Sequence, residues 1–103
     1  MIFTAISNRG LTIRLPEERW QHIIEGHPEL VDQQTNILDT IKNPDRILGG
    51  NRDEFLAVKQ LNDHQYLVAI YKELGKDGFV ITAYLTSRIN SLNRRKELWS
   101  RHP

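Results

Sequence analysis

Residues 65–86 read QYLVAIYKELGKDGFVITAYLT. Two β-rich runs, Gln65 to Leu74 and Phe79 to Thr86, flank Gly75-Lys76-Asp77-Gly78, and the glycines there supply the backbone freedom a tight connection needs, which predicts an antiparallel hairpin. Within the second run, side chains divide by parity. Phe79, Ile81, Ala83 and Leu85 point one way, and Val80, Thr82, Tyr84 and Thr86 the other. The first set is expected to meet helices, and the second places hydroxyls on the opposite face, where they can contact a ligand. Upstream, Asn62-Asp63-His64 separates this hairpin from the run Glu54 to Leu61, and Gly49-Gly50-Asn51 separates that run from Ile47-Leu48. Four antiparallel strands in a meander follow from these turns.

The earlier half has a different period. Thr12-Ile13-Arg14-Leu15 alternates as a short strand or extended lead-in. Pro16 suits a first helical position, and Glu17 and Glu18 complement the positive end of a helix dipole. Trp20, Ile23 and Ile24 form the apolar stripe of this first helix, and Gly26-His27-Pro28 supplies its stop. From Pro28, the residues Leu30, Ile37, Leu38 and Ile41 recur at helical spacing until Asn43-Pro44-Asp45, predicting a second helix. Leu92 to Ser100, containing Trp99, predicts a short C-terminal helix. The expected architecture is therefore α+β: two N-terminal helices packed on a four-stranded antiparallel meander, with a short helix at the end.

The 103 residues leave room for one core only, so a single domain over 1–103 is expected, with its core at about 12–100. Composition is ordinary for a globular chain, at 39% hydrophobic and 26% charged. There is no cysteine, which excludes disulfides, thiolate catalysis and cysteine zinc sites. No stretch approaches the roughly 20 apolar residues that span a bilayer, so a cytoplasmic protein without membrane partners is expected. Net charge is +1 but unevenly placed: residues 88–103 hold five Lys/Arg against one Asp/Glu. Such a basic end can meet a phosphate backbone or an acidic protein, or serve as a solvated surface.

Chemistry concentrates in Trp20 to Glu29, which holds two of the four histidines. On a continuous helix His22 and His27 would lie about 140° apart and would not converge. Pro28 pushes His27 toward an extended conformation, which makes convergence possible. A histidine at a helix C-terminus feels the negative end of the dipole and is suited to proton transfer. The alternative is that His27 caps terminal carbonyls and His22 is a surface residue with Glu18 one turn before it. The pair lacks the i,i+4 spacing of a helical zinc site, and no metal is expected. Trp20 belongs to an apolar stripe, whereas Trp99, close to Arg101, can either pack in the core or stack on an unpaired base.

The H-x4-H-P-E element at His22, His27, Pro28 and Glu29, the helix ending in Ile41-Lys42-Asn43-Pro44-Asp45, and the strands Leu67 to Lys72 and Phe79 to Tyr84 resemble the phage-type branch of the barnase, EndoU, colicin and RelE-like nuclease superfamily. The resemblance covers roughly residues 12–100. It implies a metal-independent endoribonuclease without a cofactor, in which the ribose 2′-hydroxyl attacks the adjacent phosphorus and leaves a cyclic phosphate. It also implies the toxin of a toxin–antitoxin pair, with RNA as substrate and an antitoxin protein as partner. That reaction needs a proton acceptor, a proton donor and positive charge on the phosphorane. The resemblance assigns His22 and His27 to acid/base chemistry, Lys72 to phosphate stabilisation and Thr82 to phosphate positioning. Arg52, Lys59, Tyr84 and Ser87 become candidate substrate contacts, and no strand arginine matches the charge-stabilising role. A catalytically silent nucleic-acid- or protein-binding module on the same scaffold is the alternative. His64 and His102, in a turn and at the chain end, read as surface residues.

Overall fold

The computed structural model describes residues 2–101. Seven strands form one mixed sheet in the order β1-β2-β6-β5-β4-β3-β7. In chain order the elements are β1 (Ile2–Ile6), β2 (Thr12–Pro16), α1 (Glu17–Gly26), a 3₁₀ turn (Pro28–Leu30), α2 (Gln34–Lys42), β3 (Arg46–Gly49), β4 (Phe55–Asn62), β5 (Gln65–Leu74), β6 (Asp77–Thr86), α3 (Ile89–Asn93) and β7 (Glu97–Ser100). The four-stranded meander survives as β3 to β6, all paired antiparallel. The expected architecture around it is corrected, because three further strands join the sheet and the three helices are interspersed among strands.

The first addition is an N-terminal hairpin. β1 pairs antiparallel with β2 from Ile2↔Pro16 to Ile6↔Thr12, and its turn uses Gly10 at φ 86°. β2 then lies parallel to β6, with Thr12↔Asp77, Ile13↔Gly78 and Arg14↔Phe79 in register. The approach is close. An added Cβ on Gly78 would run into the Lys72 carbonyl oxygen and lie 2.9 Å from Ile13 Cδ1. Gly78→Ala is therefore expected to destabilise the protein by about 1–3 kcal/mol, read by chemical denaturation.

The second correction concerns the chain end. Where a helix over Leu92 to Ser100 was expected, α3 stops after Asn93 and β7 pairs antiparallel with β3. Leu92, Arg95 and Trp99 have helical spacing, but of these only Leu92 is buried. The free edge of β3 offers Glu97 to Ser100 a hydrogen-bonding partner, and Gly49 N–H to Lys96 O at 2.9 Å and Arg101 N–H to Asp45 O at 2.9 Å close both ends. An available edge outweighs a weak local helical preference.

The second helix also starts late. Pro28 opens a 3₁₀ turn that drops Leu30 fully into the core, and α2 begins at Gln34. Helices α1 and α2 cover one face of the sheet through Trp20, Ile23, Ile37 and Ile41, against Leu15, Leu67, Ala69, Tyr71, Val80 and Ala83. On the opposite face a smaller cluster of Leu48, Leu56, Val58 and Val68 receives Leu92 of α3, with Tyr84 and Ile70 packed beside it.

Parity in β6 departs from the expected alternation. The register moves from Ile70↔Thr82 to Tyr71↔Val80, leaving Ile81 as a bulge. Val80 consequently faces the helices, while Ile81 lines a cavity with Leu56 and Ile70 on the other face. Beyond the bulge Ala83 and Leu85 face the helices. A single inserted residue reverses the facing of everything before it.

Candidate active site

β2 and β6 stay paired only as far as Arg14 and Phe79. Beyond that rung the strands separate, and α1 begins at the fork. The fork opens a cleft of about 650 Å³ lined by Arg14, Pro16, Glu18, Arg19, His22, Phe79 and Val80. Glu18 and His22 are one helical turn apart on α1 and so share a face. Arg19 stands three residues before His22 on the same helix. Arg14 comes from the strand that leads into it.

These groups are open to a ligand. Glu18, Arg19 and His22 are exposed. Among the described residues their side chains make no hydrogen bond or ion pair. The Arg14 guanidinium lies 3.4 Å from Asp77, with both side chains about half exposed; a pair of that kind is weak and yields easily to a phosphate. The cleft thus offers two guanidiniums, one carboxylate, one imidazole and the ring of Phe79.

The other nominated residues fall in several places. His27 ends α1: its N–H donates to Ile23 O at 2.8 Å, and its Nδ1 lies 3.6 Å from Glu29 Oε1. It does not line the His22 cleft. Lys72 is the direct cross-strand neighbour of Phe79, so Arg14, Phe79 and Lys72 occupy one rung across β2, β6 and β5. Its Nζ lies 3.4 Å from Asp53. Thr82 and Tyr84 are half-buried on the face opposite the helices, opposite Ile70 and Val68. Burial raises the Tyr84 phenol pKa, which keeps the hydroxyl protonated and able to donate at neutral pH.

Lys59 is drawn to the helix side. It binds Asp39 of α2, and that partnership together with the Asn43 side chain holds the Asp39 carboxyl below its usual pKa. A lowered folded-state pKa stabilises the fold above the unfolded value of 3.8, and this contribution is lost as pH falls through the folded value. Asp39→Asn is expected to cost at most about 1 kcal/mol at pH 7, because both partners are partly exposed. The variant should also lose less stability than the parent between pH 5 and pH 2, measured as Tm against pH.

Arg52 lies in the β3–β4 connection, where its backbone N–H donates to Glu54 Oε1 at 2.7 Å. Ser87 follows β6 at the end remote from Phe79, near Asn62 and His64. Trp20 is buried in the core, whereas Trp99 is 38% exposed on edge strand β7. His102 lies outside the described residues.

Arg14, Glu18, Arg19 and Phe79 are cleft residues that sequence reasoning did not nominate, Glu18 having entered it only as a first-turn acid and as the neighbour of a surface His22. Arg14 carried one signal, a charged side chain between Ile13 and Leu15 in an alternating strand. Its neighbour across the sheet, 65 positions away in the chain, carried none. Among the described residues no group of three or more His, Asp or Glu side chains is placed to hold a metal ion, and no helix is long and apolar enough to cross a membrane. Comparison with protein-family models, with curated proteins and with solved structures finds no match for this chain.

Proposed function

We propose that the protein is a metal-independent endoribonuclease whose reacting centre is the fork between β2 and β6. The observation that carries this reading is the meeting of Glu18, His22, Arg14 and Arg19 in one open cleft. The carboxylate and the imidazole supply a proton acceptor and a proton donor. One removes the proton of the ribose 2′-hydroxyl as its oxygen attacks phosphorus. The other protonates the departing 5′-oxygen, leaving a 2′,3′-cyclic phosphate and a new 5′-hydroxyl. Arg14 and Arg19 balance the negative charge that grows on the phosphorane oxygens, and Lys72, on the same rung as Arg14, adds to the field. Phe79 gives a base next to the scissile phosphate a surface on which to stack.

A domain with this activity threatens the RNA of the cell that makes it. A protein inhibitor covering the cleft, as in a toxin–antitoxin pair, completes the proposal. Its occupant would present carboxylates to Arg14 and Arg19.

The test is incubation of purified protein with single-stranded RNA in excess EDTA. Cleavage leaving cyclic-phosphate ends is expected, and Arg14→Ala should lower the rate about 10²–10³-fold by removing a donor that stabilises developing charge. Intact RNA in the presence of demonstrably folded protein would remove the proposal. A second reading, a binding module without chemistry, draws on the position of His27 outside the His22 cleft; it requires RNA retention without cleavage, unchanged in a His22, His27 double alanine variant.

A further inference from the structure

On the β7 side of the sheet, two cavities adjoin. One, of about 590 Å³, lies between the β3–β4 connection and the start of β7 and includes Arg52, Arg94, Arg95 and Lys96. The other, of about 380 Å³, is lined mainly by apolar groups, among them Ile47, Phe55, Tyr71 and Trp99. Phe55 and Leu98 line both, so the two lie side by side as a groove with a cationic half and an aromatic half.

The cationic half carries an excess of positive charge. Its four cations meet two lining carboxylates, Asp53, whose Oδ2 lies 3.4 Å from Lys72 Nζ, and Glu54, whose Oε1 accepts the Arg52 backbone N–H at 2.7 Å. Arg95 Nη1 donates to neutral acceptors, Gly49 O at 3.4 Å and Asn51 Oδ1 at 3.1 Å, which fixes a full positive charge at the groove wall. The side chains of Arg52, Arg94 and Lys96 engage no described residue. Positive charge here therefore outnumbers the two carboxylates and faces solvent.

The aromatic half has a buried floor, Tyr71, and an exposed lip. Phe55 and Tyr71 lie with ring centroids 5.5 Å apart and 31° between planes. Trp99 sits beside them on an edge strand, 38% exposed, next to Leu98 at 46%. Asn8 and Arg9 of the β1–β2 turn form the far rim. That turn is tied down, since Ser7 Oγ donates to Glu73 Oε2 at 3.0 Å and Arg9 Nη1 lies 3.5 Å from the same carboxylate.

From these observations we infer that the groove is a second site that binds single-stranded RNA, with an unpaired base on the exposed Trp99 beside Phe55 and the neighbouring phosphates on Arg52, Arg94 and Lys96. The inference rests on the proposed ribonuclease reading for its choice of RNA. Acidic polymers in general match the cations, but an exposed indole with an amide on the rim of the same cavity matches a base: aromatic faces stack on any base, and the Asn8 amide can donate to or accept from its edge. The groove shares no lining residue with the fork cleft. It thus contributes affinity and base preference rather than chemistry.

The test uses full-length His22→Ala protein, so that RNA stays intact, and fluorescently labelled single-stranded RNA. Binding should quench tryptophan fluorescence. Trp99→Ala in this background should weaken binding about 5- to 150-fold, the range for one lost base stack. Arg94→Ala with Lys96→Ala should flatten the slope of log affinity against log salt by about 1.4, for two lost contacts to a single strand. Both positions are exposed, and unchanged circular dichroism confirms folding. Affinity and salt slope equal to the parent in both variants would overturn the inference. So would quenching by an acidic peptide with none by RNA, which would assign the groove to a protein partner. Cleavage of RNA by the Trp99→Ala variant with His22 retained, whose fork cleft keeps all its lining residues, reports on the catalytic reading separately.

Discussion

Replacing His22 with alanine is expected to slow RNA cleavage by about 10²–10⁴-fold, the usual contribution of a positioned general acid or base, while leaving the fold intact. His22 is exposed and bonded to no other described side chain, so its loss removes chemistry without removing packing. The comparison that gives this result meaning is His27→Ala. His27 is held toward Glu29 and stands outside the cleft, and its substitution should change the rate less than about 10-fold. Equal, large losses at both positions would show that the two rings act together and that the fork alone is not the reacting centre.

Leu30→Ala is expected to cost about 2–5 kcal/mol, the range for truncating a fully buried leucine. Leu30 has no exposed surface and belongs to the helix-side core with Trp20, Ile23 and Ile37. Its position is as telling as its size. The 3₁₀ turn that carries it joins α1 to α2, so the same side chain fixes the end of the helix on which Glu18, Arg19 and His22 stand. A loss of this size is a large share of the roughly 5–15 kcal/mol that stabilises a typical domain. Urea denaturation read by tryptophan fluorescence measures it, and a change below about 1 kcal/mol would mean that the turn is not the plug the packing describes.

The sequence made local structure legible where one interaction range sufficed. The hairpin of β5 and β6 could be read because Gly75 and its neighbours mark the turn and the flanking runs pair with each other. The connection is tighter than expected: Leu74↔Asp77 are paired and Gly75, at φ 63°, opens a two-residue turn, the placement of a type II′ hairpin. α1 was legible from Pro16 and its acidic first turn. What could not be read was pairing between distant segments. Nothing local shows that Ile13 lies beside Gly78 or that Ile47 lies opposite Trp99, and both edges of the expected meander were consequently left bare. The Ile81 bulge was equally hidden, because Phe79 to Thr86 alternates without a break in composition.

The candidate site divided along the same line. His22 and Glu18 lie one turn apart on a helix and could be related from sequence, whereas Arg14 and Phe79 join them only through the parallel pairing of β2 with β6. Arg14 stands on a strand whose pairing partner is formed 65 residues later. Lys59 shows the converse. Its place on a strand left its direction open, and only the packing of α2 over β4 reveals that Asp39 holds it on the helix side.

The most direct measurement of the central proposal is a cleavage assay in EDTA on paired oligonucleotides, one all-RNA and one with a single 2′-deoxynucleotide on the 5′ side of the bond that is cut. The account predicts that the all-RNA strand is cut there with a 2′,3′-cyclic phosphate on the new end, and that the deoxy-substituted bond survives. Cutting of the deoxy-substituted bond, or an all-RNA strand left whole by folded protein, would contradict it.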